Sequence, residues 1–136
     1  MTLAGDDQCR VEVPEDIVER IRALCLALPE VTVRVDGSLT RARSTARSFD
    51  IRRRSFCLLV ALEGPTGNPV PLLVLRADPE EREALLSIGR PFFASRAGRD
   101  RIAVLLTDDT DWEEIHELVT ASYRVLAPKK LTALLE

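Results

Sequence analysis

Two short apolar runs, Ser55 to Leu62 (SFCLLVAL) and Val70 to Leu75 (VPLLVL), flank the stretch Glu63-Gly64-Pro65-Thr66-Gly67-Asn68-Pro69. Each run has strand rather than helix length, and the aromatic Phe56 and β-branched Val60 favour an extended chain in the first. A segment so dense in Gly, Pro and Asn reverses the chain. The two runs therefore predict adjacent antiparallel strands, with Pro71 suited to an edge or a strand end. The rest of the fold has to be built against that pair.

More strand signals lie on either side. Val31, Val33 and Val35 alternate with polar residues and run into Asp36-Gly37, where a hairpin can open. Residues 38–54 offer little apolar content before Phe49 and Ile51. They read as a loop or exposed strand, then a strand around Phe49-Asp50-Ile51, with Arg52-Arg53-Arg54 as a turn. Ile102 to Leu106 adds a further strand after the turn Ser95 to Asp100, and Phe92-Phe93 is loop or strand.

The helices are marked by their ends. Over 14–28, Pro14 suits the first helical position, Glu15 and Asp16 suit the positive end of the dipole, and Ile17, Ile21, Leu24, Cys25 and Leu28 share a face. Asp78-Pro79-Glu80-Glu81 supplies a cap, a first-turn proline and an acid three residues on, with Gly89 as the stop. Thr110-Asp111-Trp112-Glu113 reads as a second capping box, and the helix it opens, to about Val125, places Trp112, Ile115, Leu118, Val119 and Ser122 on one side. Pro128 starts a last short helix, Lys129 to Leu135. Strands and helices in this irregular order predict an α+β fold, an antiparallel sheet of about five strands with helices on one face. Trp112 and Tyr123 are expected in its core.

The chain has 136 residues, 46 % apolar and 30 % charged, enough for one domain that folds without a metal or disulfide. We expect a tail over 1–13 and a single domain over 14–136. No apolar run approaches the roughly 20 residues that span a bilayer, and MTLAGDDQCR carries acids where a signal peptide carries basic residues, so no membrane association and a cytoplasmic location are expected. Cys9, Cys25 and Cys57 are widely spaced and form no C-x-x-C pair. They read as small buried hydrophobes, with Cys9 in the loose terminus.

Charge is unevenly placed. From Arg34 to Arg54, seven arginines stand against Asp36 and Asp50, so this stretch carries +5 and the remainder −8 in a chain of net −3. Arginine forks bind phosphate in bidentate fashion, and neutralising several phosphates gains affinity through counterion release. Arg41, Arg43, Arg47, Arg52, Arg53 and Arg54 are the candidate residues for nucleic-acid binding. The competing reading is a solvated strand face whose charge discourages aggregation. A pI near 5.3 also departs from the usual basic character of nucleic-acid binders.

Signals for catalysis are weaker. His116 is the only histidine, without a partner set for nucleophilic catalysis or a zinc site. Asp108, Asp109, Asp111, Glu113 and Glu114 are better explained by helix capping than by metal binding. Phosphate-loop, dinucleotide and nucleophile-elbow motifs are absent, so no catalytic residue, cofactor or metal is expected.

Several stretches together resemble the MmcQ/YjbR family, small bacterial domains with a frataxin-like (CyaY-like) fold. They are Leu24 to Glu30 (LCLALPE), Ser48 to Phe56 (SFDIRRRSF), Leu75 to Arg82 (LRADPEER), and above all Asp111 to Ile115 (DWEEI) with Ser122 to Leu131 (SYRVLAPKKL). The resemblance covers about residues 14 to 135 and implies the family's α+β architecture. Members are commonly described as DNA-binding through a double wing of hairpins, and no catalytic residues or cofactor come with the family. This chain departs from the pattern between Val35 and Phe49, which is arginine-rich where members carry Trp or His. It departs again at Asp100-Arg101-Ile102, where members often have a Gly-Trp pair. The sequence thus predicts a binding module that contacts double-stranded DNA or another polyanion and performs no chemistry. The alternative is an adaptor whose arginines meet an acidic protein.

Overall fold

The computed structural model describes residues 11–36, 45–95 and 98–135. Along them run α1 (Glu15–Leu26), β1 (Thr32–Asp36), β2 (Ala46–Ile51), β3 (Arg54–Glu63), β4 (Pro69–Arg76), α2 (Pro79–Ile88), β5 (Phe92–Ala94), β6 (Arg101–Leu105), α3 (Trp112–Leu126), α4 (Lys129–Thr132) and a closing 3-10 turn, Ala133–Leu135. The strands form one antiparallel sheet in the order β1-β2-β3-β4-β6-β5. The fold is α+β. The sheet has six strands rather than about five, because the three-residue β5, too short to show a period, pairs Phe92, Phe93 and Ala94 with Val104, Ala103 and Ile102 of β6.

The two apolar runs become β3 and β4, paired from Cys57 opposite Leu75 to Glu63 opposite Pro69. In the turn between them Gly67 takes φ 81°, a conformation open to glycine at no steric cost. β4 is an interior strand, yet Pro71 fits because pairing with β6 begins only at Leu72. Alternation then sorts the side chains. Leu59, Ala61, Leu73, Leu75, Ile102 and Val104 join Ile21 and Cys25 of α1 and Ile115, Val119 and Tyr123 of α3 in the core, while Leu58, Val60, Leu72 and Val74 lie outside that cluster. Val11 and Val13, ahead of α1, are also buried in it.

One irregularity lets β3 serve two helices. Phe49 lies opposite Cys57 but Asp50 lies opposite Ser55, so Phe56 is an extra residue, a β-bulge. Phe56 and Cys57 are both buried although adjacent in the chain. Phe56 meets Tyr123 of α3 edge-on, with ring centroids 5.5 Å apart. Cys57 meets Cys25 of α1, and the hydrogen bond between the two thiols, with burial, pushes the Cys57 thiol well above its ordinary pKa.

Ser122 of α3 is fully buried. Its hydroxyl accepts from the Arg76 backbone N–H at 2.7 Å and donates to the Phe56 carbonyl, stitching β4 to β3 just beyond their last paired residues. The capping residues fall close to expectation. Asp78 Oδ1 accepts from Glu81 N at 2.9 Å, and Asp111 Oδ1 accepts from Glu113 N at 3.0 Å and Glu114 N at 3.3 Å. Asp111, not Thr110, is the cap of α3; the Thr110 hydroxyl instead accepts from Thr107 N at 2.7 Å. Pro14 is likewise the residue before α1 rather than its first. Trp112 is half-buried at the core margin, with the Arg20 guanidinium 4.7 Å above its ring.

Candidate anion-binding surface

Of the candidate arginines, Arg41 and Arg43 lie outside the described residues. Arg52 and Arg53 form the two-residue link between β2 and β3, with φ 52° and 70°. Positive φ at both central positions defines a type I′ hairpin, in which Asn-Gly is the preferred pair. Arg54 is the first residue of β3, so the turn is Arg52-Arg53 alone. The geometry projects the tip as a narrow, twisted ribbon end.

Partners at the tip are specific. Arg52 Nε donates to Glu30 Oε1 at 2.9 Å, and Glu30 itself sits at φ 63°. The Tyr123 hydroxyl donates to the Pro29 carbonyl at 2.7 Å. Burial raises the Tyr123 pKa, the Glu30 charge raises it further, and the Arg52 charge opposes them. The loop after α1 is thereby tied to both α3 and the hairpin. Arg53 and Arg54 are exposed, and neither has an ion-pair partner among the described residues.

The described arginines of the +5 stretch do not form one patch. Arg34 is engaged with Asp50 at 3.3 Å, and Asp50, 7 % exposed, also accepts from the Ser48 hydroxyl at 2.7 Å. Arg47 lies near the far end of β2, opposite Val35 and Leu59, half-buried, with its Nη1 lacking a hydrogen-bond partner among the described residues. At about 3.3 Å per residue it stands roughly 16 Å along the strand from Arg52.

The fold adds two arginines that the sequence reading missed. Arg76, at the end of β4, pairs directly with Arg101, at the start of β6. Arg76 is 8 % exposed; its Nη1 lies 2.5 Å from Asp100 Oδ2 and its Nε donates to the Ser55 carbonyl at 3.0 Å. Partial desolvation pushes the Asp100 carboxyl up, but the hydrogen bond and charge of Arg76, helped by Arg101, outweigh it and hold the carboxyl below its ordinary value. The available signal was a lone arginine at one end of each of two apolar strands, VPLLVLR and RIAVL.

Elsewhere, a cleft of about 420 Å³ is lined by residues that include Arg90, Thr107, Asp109, Thr110, Asp111 and Glu114. Several of its polar groups are occupied by capping and turn hydrogen bonds: Asp111 caps α3, Thr110 holds Thr107 N, and the Thr107 hydroxyl accepts from Asp109 N at 3.1 Å. His116 is exposed on α3. Among the described residues no group of three or more His, Cys, Asp or Glu is arranged to hold a metal ion. No described helix is long and apolar enough to cross a membrane.

A six-stranded antiparallel sheet, helices on one face and a basic hairpin tip together define an α+β domain with a charged sheet end. The family model described as YjbR matches residues 26–125, and the chain belongs to that family. No curated protein matches the sequence.

Proposed function

We propose that the protein is a binding module for double-stranded DNA or another polyanion, contacted through the β2–β3 hairpin tip, and that it performs no reaction. The observation that carries this reading is the exposure of Arg53 and Arg54 without carboxylate partners among the described residues, at the end of a stretch of net +5. Exposed, unpaired guanidiniums on a tightly turned ribbon can follow a phosphate backbone, and neutralising its phosphates releases the counterions condensed on it. Arg52, held by Glu30, orients the tip, and Arg41, Arg43 and Arg47 extend the basic stretch. Sequence-selective base reading forms no part of the proposal.

The test is binding of a labelled random duplex at two salt concentrations by the wild type and by Arg53→Gly/Arg54→Ala. A steep loss of wild-type affinity with salt, and a slope shallower by about 0.9 for each phosphate contact removed, is the expected outcome. Absence of binding at low salt rejects the polyanion reading. It would leave the arginines to an acidic protein partner.

A further inference from the structure

Three arginines stand at one end of the sheet, on the neighbouring strands β3, β4 and β6. Arg76 and Arg101 are direct cross-strand partners on β4 and β6, and residues so paired share a face. Arg54 begins β3 next to Ser55, whose carbonyl the Arg76 side chain reaches. The acid in contact with this group is Asp100, and its closest contact, at 2.5 Å, is with Arg76. Its other oxygen is 3.9 Å from Arg101 Nε, too far for a hydrogen bond.

Arg101 Nε is therefore a buried donor with no hydrogen-bond partner among the described residues. Burial lowers the pKa of Arg101, and the charges of Arg76 and Arg54 lower it further against the pull of Asp100. An unsatisfied buried donor on a cation, crowded by like charges, is a costly arrangement that a bound anion would relieve. The Arg101 backbone carbonyl accepts from Arg82 Nε of α2 at 2.8 Å, which ties this end of β6 to that helix.

We infer that Arg54, Arg76, Arg101 and Asp100 form a seat for one phosphate monoester group, with Arg101 Nε as the donor that the ligand satisfies. Three arginines and one aspartate leave a charge of +2 on this cluster. That charge matches a monoester dianion better than the single charge of a carboxylate or a backbone phosphodiester. Forks on neighbouring strands also suit a tetrahedral group with several acceptor oxygens. Arg76 supplies charge and holds Asp100, whereas Arg54 and Arg101 face the ligand. The seat shares Arg54 with the hairpin tip, whereas Arg101 belongs to the seat alone, so changing Arg101 tests the seat with the tip left intact.

Titration of inorganic phosphate into protein carrying nitrogen-15 arginine side chains tests the seat directly, read at the Nε–H signals. Arg101 should shift and saturate, with Arg53 unmoved. Arg101→Lys keeps the charge but loses the fork and the unsatisfied Nε, so it should melt no lower than the wild type and bind phosphate at least about tenfold more weakly, a difference of about 1.4 kcal/mol. Absence of a saturable Arg101 shift at millimolar phosphate overturns the proposal. So does equal phosphate affinity in Arg101→Lys, which would mean diffuse screening. Comparing duplexes with and without a 5′-phosphate then separates sources: preference for the phosphorylated end assigns the seat to nucleic-acid termini, and indifference assigns it to free phosphate esters.

Discussion

Ser122 stands on the apolar side of α3, where sequence periodicity places it, yet its two hydrogen bonds reach residues 46 and 66 positions away. No local pattern announces such a role; only pairing of β3 with β4 brings Phe56 and Arg76 to the same hydroxyl. Ser122→Ala leaves a buried backbone N–H and a carbonyl unpaired. We expect a loss of about 1–3 kcal/mol in denaturant unfolding, far above that of an exposed serine such as Ser87. Arg53 presents the opposite case, a residue whose conformation is unfavourable. Left-handed backbone costs a non-glycine residue roughly 1–2 kcal/mol, and glycine's extra freedom when unfolded returns roughly 0.5–1 kcal/mol of that. Arg53→Gly should therefore stabilise the protein by on the order of 0.5–1 kcal/mol in a denaturant melt, while weakening binding to polyanions. Lower stability would show that the Arg53 side chain holds the tip together.

At the scale of elements, legibility followed locality. The β3–β4 hairpin and the Asp78 cap were readable because each is specified within a few neighbouring residues. The cap of α3 was displaced by one residue because Thr110 and Asp111 are both good caps, and the hydroxyl of Thr110 is engaged by Thr107. β5 escaped notice as a definite strand because three residues cannot display a period, and its pairing partner lies beyond the intervening turn. The basic stretch illustrates the same limit for the candidate site. Counting charges along the chain made one cluster of Arg34 to Arg54, whereas the hairpin places Arg47 toward one end and Arg52 to Arg54 at the other, and neutralises Arg34 and Arg52 with acids. Arg76 and Arg101 were invisible as a pair for the converse reason: they are 25 positions apart in sequence and directly opposed in the sheet.

For the whole molecule, acid stability depends in part on the sheet end. The carboxyl of Asp100 titrates below its ordinary value when folded, so its contribution is present above the unfolded pKa of about 3.9 and is lost as the pH falls through the folded value. Its side chain is 55 % exposed, and solvent screening keeps that contribution small. Unfolding measured across pH should show Asp100→Asn destabilised at neutral pH and converging on the wild type as the pH falls through the folded value. A constant gap at all pH values would assign the loss to packing rather than charge.

The bulge at Phe56 bears on how β3 can change length. A strand keeps its inward and outward sides by counting in twos, so losing any residue between Leu58 and Ala61 would invert every later side chain of the strand, turning core positions to solvent. Phe56 is the single place where the count is already odd. Excising it would leave Ser55 facing as before and Cys57 still turned toward Cys25, and would take away the ring that Tyr123 meets and the carbonyl to which the Ser122 hydroxyl donates. The strand thus carries one spare residue, and the fold has used it to join the sheet to a second helix.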